Sequence, residues 1–201
     1  MRYALLFFIG LLSTGACNGN GTQGSPDAGD VLECGPAVRA VPSEGQLHVP
    51  DGQGVEYKAN PPASGPHWPI WHGWGVFPDE IIPRERWVHN LEHGGVVFAW
   101  NCGTGFSDGG APDGGPVGGS LPDGASAAAC PEVVAAVQKL YAERPLDKWG
   151  VVRIVGTPDP LLPKKVAAIA WGYSWTSDKV DLDAMRCFRD RRYGRGPEDA
   201  P

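Results

Sequence analysis

His89 and His93 stand four residues apart in Val88-His89-Asn90-Leu91-Glu92-His93, a spacing that puts both imidazoles on one face of a helical turn and can clasp a metal ion. A third imidazole, His67, follows Ser64-Gly65-Pro66, where proline stiffens the loop and little entropy is lost in aiming the ring. Three histidines with an open fourth position make a reactive centre, and a fourth donor from His72 or His48 makes a more closed one. Glu92 lies between the helical pair and can orient a ligand imidazole or take a proton from bound water. Four of the five histidines and five of the eight tryptophans fall within residues 60–100. That crowding of imidazoles, the commonest protein metal ligands, is what points to a site.

Three function classes follow from these residues. The first is a divalent-metal-binding domain that uses His67, His89 and His93, with Glu92 in support. The second is a metal-dependent hydrolase with Glu92 as base, since His89-Asn90-Leu91-Glu92-His93 fits the H-x-x-E-H pattern of inverzincin peptidases. That pattern needs a substantial helix, and here Gly94-Gly95 and an apolar run follow at once. The third is a metal-free envelope scaffold or binding module, its tryptophan-rich face meeting a protein or glycan and its histidines only bonding to backbone. If a metal is held, imidazole donors suit zinc or copper(II). Soft copper(I) would need thiolate or thioether ligands. Cys102, were it reduced and close to His89 and His93, is the one route to such a centre. Arg84, Glu85 and Arg86 read as an exposed charged patch.

The elements that position these groups are few. Residues 96–100 form a five-residue apolar run, long enough for a buried strand and too short for a helix. Pro131 opens a helix running to about Arg144, with Val133, Val134, Val137, Leu140 and Tyr141 recurring on one side. Residues 151–155 and 166–171 are further strands. Asp181 or Asp183 caps a last helix through Arg192, with Met185 and Phe188 inward. The fold class is α+β: a small, mostly antiparallel sheet with two main helices and long Pro- and Gly-rich loops.

The chain start bears on compartment. Arg2, an apolar run and small residues ending at Cys17 read as a secretory signal over residues 1–16, too short to span a bilayer permanently. Thr14-Gly15-Ala16-Cys17 is similar to a bacterial lipobox, so Cys17 is the expected lipidation site and the lipid the expected contact with a membrane. Residues 17–33 form a flexible tether and 34–201 a single domain, interrupted at 103–129 by a low-complexity Gly, Pro and Asp insertion. Its Asp-Gly pairs lack the spacing of a calcium loop. A net charge of −6 with no basic stripe argues against nucleic acid as a partner.

With Cys17 set aside, four cysteines remain, an even number that in an oxidising compartment implies two disulfides. Three pairings are possible. Cys102 with Cys130 is favoured because it would close off the insertion, leaving Cys34 with Cys187. No C-x-x-C occurs, so a thiolate zinc site lacks its spacing.

The segments Asn60-Pro61-Pro62-Ala63-Ser64-Gly65-Pro66-His67-Trp68 and Val88-His89-Asn90-Leu91-Glu92-His93-Gly94-Gly95-Val96 closely resemble the bacterial family catalogued as domain of unknown function 3105. Ala170-Trp171-Gly172 and Gly194-Arg195-Gly196-Pro197-Glu198 are similar to it as well, so the resemblance spans about residues 46–198. It implies an extracytoplasmic or membrane-attached bacterial protein and no particular activity.

Overall fold

A computed structural model describes residues 33–102, 119–120 and 130–200. The expected signal, Cys17, the tether up to residue 32 and the insertion apart from 119–120 lie outside the described residues. Eight strands and three helices follow in chain order among them: β1 (Val38–Ala40), β2 (Gly75–Val76), β3 (Glu80–Ile81), α1 (Arg84–Glu92), β4 (Val96–Trp100), β5 (Gly119–Ser120), α2 (Pro131–Ala142), β6 (Ile154–Pro158), β7 (Val166–Ala170), β8 (Tyr173–Ser177) and α3 (Leu182–Arg192).

Six strands form one sheet in the order β1-β8-β7-β4-β6-β2, and β3 pairs with β5 separately. The α+β reading holds, but the sheet is mixed rather than mostly antiparallel: β1, β8, β7 and β4 run antiparallel, while β4–β6 and β6–β2 are parallel. The cause lies in the connection. Between β4 and β6 the chain passes through α2, and a crossover of that kind returns the next strand in the same direction. The third helix, α1, is short and was expected only as a turn. The strand expected at 151–155 sits three residues later and runs through Pro158.

The central strands are buried on both faces, which is why they read as unbroken apolar runs. Val96, Phe98 and Trp100 of β4 join Val133, Val137 and Leu140 of α2 and Met185 and Phe188 of α3 in one cluster. Val97 and Ala99, pointing the other way, pack with Trp87, Val88 and Leu91 of α1. The sheet is thus a middle layer, with α1 and the loops around residue 63 on one side and α2 and α3 on the other. The cap of α3 is Asp181, whose carboxylate accepts from the Ala184 N–H at 3.0 Å.

Cys34 and Cys187 are paired with Cα atoms 5.5 Å apart, tying the start of the domain to α3, and Cys102 pairs with Cys130 at 5.8 Å. Two disulfides fit maturation in a non-reducing environment. No described helix is long and apolar enough to cross a membrane.

Candidate metal centre

Helix α1 ends where its histidines are needed. His93 is its C-cap, the Gly94 N–H bonds the Leu91 carbonyl at 2.9 Å, and the Gly95 N–H bonds the Asn90 carbonyl at 2.9 Å. These are the paired bonds of a Schellman motif, which requires a left-handed residue just past the cap; Gly94 supplies it with φ +77°. His89, Glu92 and His93 therefore occupy the last turn, with Trp87, Val88 and Leu91 seating the helix on the sheet.

The loop that carries His67 is fixed by its own backbone. The His67 N–H bonds the Leu47 carbonyl at 3.0 Å and the Val49 N–H bonds the His67 carbonyl at 2.8 Å, an isolated bridge that sets His48 beside His67. The Tyr57 hydroxyl donates to the Pro66 carbonyl at 2.7 Å, and the Trp68 N–H reaches the Glu85 carbonyl at 3.1 Å. Burial, with smaller contributions from nearby charges, pushes the Tyr57 hydroxyl well above its ordinary pKa, so it stays a donor. Glu85 itself is buried and accepts from the Val55 N–H, while Arg84 pairs with Asp159 at 2.8 Å. The expected exposed patch at 84–86 is therefore largely structural.

His48, His67, His89 and Glu92 place one donor atom each within 4.8 Å of one another, a group that can hold a metal ion. The ring centroids of the three histidines lie 4.8, 4.9 and 5.0 Å apart. Glu92 Oε2 is 2.9 Å from His67 Nε2, 3.6 Å from His48 Nε2 and 3.9 Å from His89 Nε2. Four donors on arms of 2.0–2.1 Å around tetrahedral zinc stand about 3.4 Å from one another. The observed separations bracket that value.

The hydrogen bonds fix which ring nitrogens face inward. His67 Nδ1 lies 2.8 Å from the Gly65 carbonyl and His89 Nδ1 lies 2.7 Å from the Trp68 carbonyl. A carbonyl only accepts, so in both rings Nδ1 carries a proton and donates it. In the neutral ring Nε2 is then a bare lone pair. At 2.9 Å from the Glu92 carboxylate, His67 Nε2 would meet another lone pair, so a cation, proton or metal, has to lie between them. Backbone bonding of the histidines, expected only if they are structural, is thus also what aims their free nitrogens, as outer partners do at metal centres.

His89 is held neutral. Burial lowers its pKa from 6.5 to about 4, helped by the neighbouring imidazoles and opposed by the bond to Trp68. The unfolded chain binds this proton near pH 6.5 and the folded one only near pH 4, so stability falls as pH drops through that window. The metal-free protein is expected to lose about 3 kcal/mol between pH 7 and pH 4 from this residue. Urea melts at both pH values check it: an H89A variant with the same pH slope as wild type would refute the assignment.

His93 stands beside this group rather than inside it. Its Nε2 is 3.1 Å from His89 Nε2 and 3.5 Å from Glu198 Oε2. His48, which sequence reasoning placed only as a possible fourth donor, belongs to the tight group, and Glu92 stands among the donors. His72 is elsewhere, held by Glu80 at 3.1 Å and the Gly73 carbonyl at 3.1 Å. Cys102 is paired with Cys130 and packs with the cluster on the opposite face of the sheet, as does Met185, so among the described residues no soft sulfur ligand faces the imidazoles. His48 signalled its part only through a backbone bridge with no local sequence mark. Glu198, more than a hundred residues along the chain, was marked only by the family-like segment Gly194-Arg195-Gly196-Pro197-Glu198 and not as a partner of His93.

Residues 48–108 match the family model described as Protein of unknown function (DUF3105). Over that segment, less than half of its length, the chain is similar to this family. The DUF3105 match is shorter than the resemblance over 46–198, but it contains all five histidines and Glu92. No curated protein and no solved structure matches the chain.

Proposed function

We propose that this protein binds one divalent transition metal, zinc or copper(II), at the group formed by His48, His67, His89 and Glu92, with His93 as a flanking donor. The observation that carries this reading is the convergence of histidine Nε2 atoms on a carboxylate that is 2% exposed. An unpaired buried carboxylate is costly, and a bound cation offsets that cost. A donor set of imidazole and carboxylate suits zinc and copper(II) over copper(I). Elemental analysis of the mature chain, made with its disulfides formed and without a histidine tag, tests the proposal. Near-stoichiometric metal supports it, and none after reconstitution with either ion sinks it.

The domain works outside the cytoplasm, held by a lipid on Cys17. Support comes from the lipobox-like Thr14-Gly15-Ala16-Cys17 and from the two disulfides. A C17A variant is expected to leave the membrane fraction and appear in the soluble one; a variant that stays membrane-bound would overturn the anchor.

A further inference from the structure

The end of the chain is laid directly against the last turn of α1. The Gly194 N–H bonds the Gly94 carbonyl at 2.8 Å and the Glu198 N–H bonds the Glu92 carbonyl at 3.0 Å. At Gly196 the two backbones are so close that a Cβ would come within 2.1 Å of the Glu92 carbonyl oxygen and 2.2 Å of the Gly94 nitrogen. Arg153 donates to the carbonyls of His93 and Ala200, stitching both segments together. These contacts hold Glu198 where its Oε2 lies 3.5 Å from His93 Nε2, which in turn lies 3.1 Å from His89 Nε2. The side chain of Glu198 is 50% exposed, so the donors form a row from buried Glu92 out to solvent.

We propose that the carboxyl-terminal segment is a strap that closes over the metal site, with Glu198 as an outer carboxylate that pairs with His93 and positions it beside the ion's four donors. The proposal rests on the metal-binding reading above. A separation of 3.5 Å is within ion-pair reach, and a carboxylate there orients an imidazole as outer partners do at metal centres. Glu198 lies outside residues 48–108, which match the family model.

The test uses the mature chain and its E198Q and E198D variants, with zinc alone as the probe. Affinity is read by competition with a chromophoric chelator and dissociation by stopped flow. E198Q is expected to bind about tenfold more weakly through faster dissociation, the scale seen when a supporting group at a metal site is removed. E198D, which keeps the carboxylate, recovers part of the loss, and the melting temperature of the metal-free variants stays at the wild-type value. Wild-type affinity in E198Q overturns this proposal alone. So does a weakening that E198D does not rescue and that a lowered metal-free melting temperature explains. A wild-type chain that takes up no zinc overturns the metal-binding reading and the strap's role with it.

Discussion

Replacing His89 by alanine is expected to abolish stoichiometric metal binding while leaving the domain folded. His89 is central to the donor group: its Nε2 lies 3.9 Å from Glu92 Oε2 and 3.1 Å from His93 Nε2, and its low pKa keeps that nitrogen unprotonated at neutral pH. Losing a ligand should cost more affinity than the roughly 10- to 100-fold that follows loss of a ligand's hydrogen-bonding partner. The fold should tolerate the change, because leaving the Trp68 carbonyl without this donor costs only about 1–3 kcal/mol. H67A should behave in the same way, and H72A should bind as wild type does, since His72 is engaged with Glu80 away from the group. Competition titration of the three variants checks all of this. Equal affinity in H89A and wild type would dismiss the site.

Much of this centre was legible in the sequence because its strongest signals are local. The i, i+4 pair His89 and His93, the intervening Glu92 and the proline-stiffened His67 could all be read from short windows. So could β4, α2 and α3, where apolar spacing and cap residues agree with the packing that formed. Other features depend on pairings between distant segments. His48 enters because its neighbours Leu47 and Val49 make two backbone hydrogen bonds with His67, and nothing in its own neighbourhood marks it. The mixed sheet was misread because burial on both faces erases the alternation that distinguishes strand neighbours. The order strand, helix, strand over β4, α2 and β6 was nevertheless present and implies a parallel pair. The error over Arg84, Glu85 and Arg86 has the same origin. Charged residues at the start of a short helix look solvated until Asp159 and the Val55 N–H arrive from elsewhere in the chain.

Glu92→Gln separates a metal ligand from a catalytic base. In a hydrolase that binds metal through His89 and His93 and uses Glu92 only to activate water, the amide should retain the metal and lose turnover. The geometry leads to the opposite expectation. Glu92 Oε2 lies among three imidazoles and 2.9 Å from His67 Nε2, so its negative charge is part of what would hold the ion. Removing that charge should weaken zinc by about 100-fold or more, beyond the range of an outer partner. The metal-free protein should gain or keep stability, because the amide NH₂ of glutamine can donate to His67 Nε2 and satisfy the contact with neither proton nor metal between the two groups. A buried carboxylate also gives way to a neutral group of nearly the same shape, which removes a desolvation cost. Metal affinity and urea stability, measured on the same E92Q preparation, should therefore move in opposite directions. If E92Q kept wild-type metal affinity, Glu92 would not be a ligand, and a search for hydrolysis with the glutamate as base would become the next experiment.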